Sequence, residues 1–324
     1  MPARPGGGPS TADTVVTMAE TRLERALAEE RFAVTAELGP PKSADAEHVQ
    51  ERARLLGPVC DAVNVTDNQT AQSRMAPLAA GRLALEAGAE PVVQLTCRDR
   101  NRLALTADLL GASALGLHNT LSMGGDPVGA GNHPEAAEVR DIDTLGLLRL
   151  QSTLRSGSFA NEAGEALAGT SPHLVIGATA NPLAPDPEVE IQKIAAKMAA
   201  GADFFQTQLC YDPDRLDAFL DRLRAADLPV WPRMLIGVGP LKSLRMARHM
   251  HDNVWGVEIP PPVMARMADA ADQREEGLGV CAELLERLCE TPGVAGAHVM
   301  AIAWEEAVPE LLERAGLGAG RAVP

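Results

Sequence analysis

Residues 32–42 read FAVTAELGPPK. Apolar and β-branched residues from Phe32 to Leu38 predict a strand. The residues just after that strand separate two folds. A doubly wound nucleotide-binding sheet carries a glycine-rich turn after its first strand. Here the strand runs into Gly39-Pro40-Pro41, and prolines, with φ fixed and no N–H, cannot build that turn. Neither G-x-G-x-x-G nor G-x-x-x-x-G-K-[ST] occurs elsewhere in the chain. Outward from this stretch, strand-like runs recur at Ala62–Thr66, Pro91–Thr96, Ala114–Leu121, Leu174–Ala178, Phe204–Leu209, Arg233–Val238 and Ala297–Ile302. Amphipathic stretches lie between them at Ala44–Leu56, Leu103–Leu110, Ile142–Leu154, Glu188–Ala200, Pro213–Ala225, Lys242–His251 and Met264–Leu288. Eight alternations of this kind predict an α/β fold of the (β/α)8 TIM-barrel type rather than an open sheet. The expected catalytic domain runs over residues 18–317, with flexible tails at 1–17 and 318–324.

Composition narrows the function. Of 324 residues, 46% are hydrophobic and 23% charged, which excludes a largely disordered or fibrous chain. No apolar run is long enough for a transmembrane helix. Lys and Arg total 29 against 44 Asp and Glu, a net charge of −15. Nucleic acid and anionic membrane surfaces are therefore not expected partners; a small molecule is. The five cysteines (Cys60, Cys97, Cys210, Cys281, Cys289) contain no Cys-x-x-Cys, and the amino terminus has no apolar signal region. Both features fit a reducing cytoplasm. Seven histidines show no metal-binding spacing, so no metal is expected. Aromatic residues are only 3% of the chain. A planar cofactor is thus expected to lie against aliphatic side chains and backbone.

In a barrel the residues that close the strands share one cup. Here they are Glu37, Thr66, Gln94, Asp126 just past the fourth strand, Gln206 and Gln208. Carboxylates and carboxamides without a Ser, Cys or His nucleophile set suit proton donation to, and hydrogen bonding of, a polar heterocycle. Each residue also has a plainer reading. Glu37 could be a strand-end carboxylate in an ion pair. Asp126, in LSMGGDP, could cap a turn, although the two preceding glycines also let backbone approach a ligand. Alternation puts Gln206 and Gln208 on one side of their strand, as ligand contacts or as a core hydrogen-bond network. Of the two long connections, Ser122–Arg140 follows a strand and is a site candidate. Ser156–Pro172 follows a helix and is not.

These strand-end pieces resemble the methylenetetrahydrofolate reductases, flavin-dependent (β/α)8 barrels. The matching pieces are VTAELGPPK, VNVTDNQTA, QLTCRDRN, LSMGGDPVGAG, KIAAKMAAGADFFQTQLCYD and MLIGVGPLKS, in the family's order from about Arg31 to Leu317. The stretches NHPEAAEVRDIDT and HVMAIAWEEAVPELLERAGL resemble the branch found in acetogens more than the enterobacterial one. The resemblance implies reduction of 5,10-methylenetetrahydrofolate to 5-methyltetrahydrofolate with NAD(P)H as electron source. Glu37 matches the general acid that opens the imidazolidine ring, and Asp126 the aspartate beside the flavin. Gln208, with its neighbour Gln206, matches the pterin contact, and Leu244 takes the place of a substrate-stacking phenylalanine. Thr66, Gln94, Gly124, Gly125, Asp126 and Lys197 fall at flavin contacts. The implied cofactor is FAD, with FMN or a weakly held or absent flavin as alternatives. A homo-oligomer or a partner reductase subunit is compatible with the family. A reductase of a related pterin, or a non-catalytic pterin-binding or methyl-transfer protein, are the alternative functions.

The chain also departs from the family pattern. Gly124, Ala196 and Trp304 stand where the family has arginines, Gln94 where it has a histidine, and no tyrosine lies near Thr179–Pro182. The resemblance therefore keeps the proton chemistry and weakens the expected grip on the cofactor phosphates.

Overall fold

Among the described residues every strand pairs in parallel with its sequence neighbours, and the last returns to the first. In this computed structural model, which describes residues 21–318, the order β1-β2-β3-β4-β5-β6-β7-β8 closes on itself. The strands are β1 (Ala33–Leu38), β2 (Ala62–Val65), β3 (Pro91–Thr96), β4 (Asn119–Met123), β5 (Val175–Ala180), β6 (Phe204–Leu209), β7 (Met234–Val238) and β8 (Val294–Val299). The barrel expected from the alternation is the fold observed. The expected tails at 1–17 and 318–324 lie, but for Gly318, outside the described residues.

Eleven α-helices are described. They are α1 (Arg22–Ala28), α2 (Ala46–Leu56), α3 (Pro77–Glu86), α4 (Arg102–Ala114), α5 (Thr144–Arg155), α6 (Pro187–Ala199), α7 (Pro213–Ala225), α8 (Leu244–Asn253), α9 (Pro261–Asp269), α10 (Gln273–Glu290) and α11 (Val308–Arg314). Local chemistry starts most of them. Asp45, Asp143, Asp186, Asp212 and Asp272 each cap the first turn of a helix with a side-chain oxygen. At 186–187 and 212–213 the cap is followed by a proline, whose missing N–H costs nothing at a helix start.

Four boundaries differ from the sequence reading. The run at 114–121 straddles the end of α4 and the start of β4, because a turn at Leu115–Gly116 interrupts an otherwise apolar stretch. β8 begins at Val294 rather than Ala297, since its glycine-rich start gives no strand pattern. Met264–Leu288 divides into α9 and α10 at the Asp272 cap. Helix α3 goes unread by periodicity because its buried face is Pro77, Ala80, Gly81 and Ala84, too small to show an apolar stripe.

The barrel interior is layered. At its base Ala33, Ala62, Val92, Leu121, Val175, Phe204 and Leu235 pack with Leu23, Ala26 and Leu27, so that α1 plugs the amino-terminal end. Above this lies a polar layer of Thr35, Asn64, Gln206 and His298, all buried. Strand β6 is irregular there. Gln206 faces Leu235 while Leu209 faces Gly237, leaving one extra β6 residue against β7. The Thr207 hydroxyl takes the Gly237 N–H at 2.8 Å in place of a ladder bond. A bulge of this kind re-aims nearby side chains, and Thr207 and Gln208 both reach the mouth as a result. The connection after α5 emerges at the opposite end of the barrel from the mouth, as expected for Ser156–Pro172.

Candidate active site

The carboxyl ends of the strands open into a cavity of about 600 Å³. That is within the range of pockets that take a cofactor or a drug-sized ligand. Glu37 lines it, with one fifth of its side chain exposed.

Behind Glu37 runs a chain of buried hydrogen bonds. Gln206 Nε2 donates to Asn64 Oδ1 (2.9 Å) and to Thr35 Oγ1 (3.0 Å), and Gln206 Oε1 accepts from Asn64 Nδ2. The Thr35 hydroxyl therefore accepts from Gln206 and has its own proton to give. Its nearer acceptor is His298 Nδ1 at 2.9 Å, against 3.5 Å to the Ala297 carbonyl. A neutral imidazole that accepts at Nδ1 carries its proton at Nε2. His298 Nε2 lies 3.9 Å from the Glu37 carboxylate. The network thus fixes the tautomer of the imidazole that faces Glu37 across 3.9 Å at the end of β1. The plain ion-pair reading of Glu37 does not hold: the basic side chain within 4 Å is a histidine, not Lys or Arg.

Gln94 is buried beside the cavity, and Gly124, Gly125 and Asp126 border it. Gly125 has φ +81°, and a Cβ there would meet the Arg98 and Thr96 side chains at 3.0 and 3.1 Å, so glycine lets the chain turn closely over β3. The Asp126 carboxylate accepts the Thr70 N–H at 2.8 Å, stapling the loop after β2 to the loop after β4. Thr66 is buried and its Oγ1 has no hydrogen-bond partner. Lys197 borders the cavity and donates to the Thr179 carbonyl at 2.5 Å. Burial pushes its ammonium below the usual lysine range, with Glu190 opposing that shift.

Gln206 and Gln208 both line the cavity but do different things. Gln206 is the centre of the core network. Gln208 Nε2 donates to the Trp255 carbonyl at 3.0 Å. Leu244 corrects the sequence expectation. It does not line the cavity; it is half-buried and packs against the apolar cluster that includes Tyr211, Leu241 and Met267.

Several cavity residues escaped the sequence reading as site members. Asp67 accepts from Thr96 and from Arg100, tying the ends of β2 and β3 together. Arg98, 2% exposed, is spent on Asp99 and on the Asp126 and Asn68 carbonyls. Its guanidinium holds the Asp99 carboxyl below the usual carboxylate range. His298 was readable only with the correct start of β8, which sets it inward by alternation. Asn181 and Trp255 sit in loops without a motif.

A sequence profile described as methylenetetrahydrofolate reductase matches residues 22–316. The chain belongs to the methylenetetrahydrofolate reductase family. Methylenetetrahydrofolate reductase 1 of Schizosaccharomyces pombe is 28% identical over 240 residues, covering 69% of this chain and 35% of that protein. A probable methylenetetrahydrofolate reductase (NADPH) of Caenorhabditis elegans is 23% identical over 236 residues, 71% of this chain and 33% of that one. The chain thus spans about a third of the length of these family relatives. Among solved structures, a Clostridium thermocellum protein that binds two copies of 5-methyl-5,6,7,8-tetrahydrofolic acid superposes with a TM-score of 0.64. It is 16% identical, with 91% of this chain and 97% of that one covered, and shares the fold. Among the described residues no helix is long and apolar enough to cross a membrane.

Proposed function

We propose that the protein reduces 5,10-methylenetetrahydrofolate to 5-methyltetrahydrofolate with NAD(P)H, as a member of the acetogen-type branch of its family. The observation that carries this is the placing of a carboxylic acid, Glu37, beside an imidazole in a cavity that also presents carboxamides and an aliphatic wall. In the reaction Glu37 gives its proton to the leaving nitrogen as the five-membered ring opens to an iminium. A hydride then reduces the iminium carbon. The net change consumes one NAD(P)H and one proton. Gln208 stands on the pterin side of this scheme, Gln206 supports the site through its core network, and Asp126 faces the developing positive charge.

The donor set fits a flavin. An apolar wall of Leu121, Met123 and Leu209 suits a flat ring, and Lys197 puts a cation at the edge. Gln94, Gly124, Gly125, Asp126 and Lys197 would hold FAD, which when bound supplies the hydride carrier between NAD(P)H and folate; Thr66, expected among them, is buried and does not line the cavity. With Arg98 committed elsewhere and no side chain at Gly124, anchoring of the phosphates falls on Lys197 and loop backbone. Lys197→Ala is therefore expected to lower FAD affinity about tenfold or more, one charge-assisted bond's worth. In the parent protein FAD affinity is expected to fall as pH rises through the lowered lysine pKa, because the ammonium, not the amine, binds the anion. That alkaline loss should be missing in the variant. Bound flavin after dialysis, titrated across pH, measures both; equal occupancy of the two proteins at every pH would refute the assignment.

The function itself is tested by incubating the purified protein with FAD, NADH or NADPH, and 5,10-methylenetetrahydrofolate, then separating the folates by chromatography. Accumulation of 5-methyltetrahydrofolate matched by NAD(P)H consumption is the expected result. Folate left unreduced with either nucleotide would reject the reading.

A further inference from the structure

Trp255 is 77% exposed, yet it lines the cavity. It occupies the tip of a turn from Val254 to Val257, closed by the Val257 N–H on the Val254 carbonyl at 3.1 Å. Two amides of the cavity border this tip, and one of them bonds it. Gln208 Nε2 binds the Trp255 carbonyl. Gly256, at φ +77°, comes so close to Asn181 that a Cβ would stand 2.7 Å from Asn181 Nδ2. Val254, Val257 and Ile259 root the turn in the apolar cluster beneath α8 and α9.

A tryptophan left in water forgoes one of the largest apolar burials a side chain can make. Here the backbone beneath it is fixed while the indole itself is left without cover. Asn181 adds a second, independent sign. It is 4% exposed and lines the same cavity, its Oδ1 accepts from Leu183 N, and its Nδ2 has no hydrogen-bond partner. A flat hydrophobic face and an unspent buried donor thus meet at one rim, in a chain whose composition offers few aromatic platforms.

We propose that Trp255 is the stacking platform for the p-aminobenzoyl ring of the folate, with Asn181 Nδ2 as a donor to the same ligand. This rests on the folate reading above and deepens it. With Glu37 protonating the nitrogen that bears this ring, the pterin lies inward and the benzoyl ring leads out toward the mouth, where Trp255 stands. The platform supplies in this chain what Leu244, turned into the core, does not.

The test compares two probes on the full chain by calorimetry. 5-Methyltetrahydrofolate carries the benzoyl ring; 6-methyltetrahydropterin lacks it. Trp255→Ala is expected to weaken 5-methyltetrahydrofolate binding by about five- to a hundredfold, the scale of one ring stacked on an aromatic side chain. 6-Methyltetrahydropterin binding should not change. Trp255→Phe should recover most of the loss. Circular dichroism and sedimentation check that fold and assembly are retained. If the parent binds 5-methyltetrahydrofolate and Trp255→Ala binds it equally well, the inference is overturned and the folate reading stands. It is overturned in the same way if the variant alters only sedimentation, which would mark Trp255 as an interface residue. If the parent binds no folate, both fall together.

Discussion

Glu37→Gln is expected to lower turnover of 5,10-methylenetetrahydrofolate by about 10²–10⁴-fold, the usual range for removing a general acid. The carboxamide has the same shape, and the carboxylate it replaces makes no hydrogen bond to His298 that could be lost, so packing around β1 should survive. What it lacks is a proton to release to the leaving nitrogen. Affinity for 5-methyltetrahydrofolate, which needs no proton transfer, should stay within a few-fold of the parent, and the thermal midpoint should hardly move. Those two controls give the experiment its force. A parallel fall in product affinity would make Glu37 a binding residue, and a fall in stability would make it a structural one. The geometry argues against both. The side chain is partly exposed to the cavity rather than packed, and its neighbour within 4 Å, His298, lies beyond hydrogen-bond distance.

The barrel was legible because its signal is repeated. Each strand of the sheet is mostly buried on both faces, and each is followed by a helix, most of them capped, so an error at one boundary leaves the count intact. Misplacing β4 by several residues did not disturb the topology. The site was legible where alternation and strand ends dictate direction. Glu37, Gln94, Gln206 and Gln208 all come to the cavity. It was illegible where direction depends on tertiary packing. Leu244 begins a helix whose first turn has both an apolar cluster and a mouth within reach, and only the packing decides which it joins. Trp255 is placed by a turn that Gln208 holds from the distant β6 and that Asn181 abuts, an arrangement no local pattern encodes. The bulge in β6 is of the same kind. It brings Thr207 to the cavity beside Gln208, against the simple period of two.

Gln206→Leu is expected to destabilise the protein by roughly 2–4 kcal/mol, because it strands more than one buried partner at once. Asn64 loses both its donor and its acceptor contact, and Thr35 loses the N–H it accepts. None of these groups reaches water: Thr35 and Asn64 are fully buried and Gln206 is 2% exposed. On the usual scaling the thermal midpoint should drop by roughly 4–12 °C. The decisive measurement is a double-mutant cycle with Asn64→Leu in urea. Each single change leaves an unsatisfied amide, whereas the double change removes both, so the pair should cost less than the sum by about 0.5–3 kcal/mol. Strict additivity would mean that the two amides do not depend on one another. The effect should also reach the chemistry without any contact to the ligand. Once Gln206 no longer donates to Thr35, the hydroxyl is free to reverse and donate elsewhere. His298 Nδ1 then loses its fixed donor, and the Nε2 proton that faces Glu37 is no longer enforced. At a temperature where Gln206→Leu is fully folded, turnover should therefore fall while 5-methyltetrahydrofolate affinity holds. A polar layer inside a barrel is expensive to satisfy; here it ends 3.9 Å from the acid, and setting the tautomer of the imidazole that faces that acid is the use the geometry gives it.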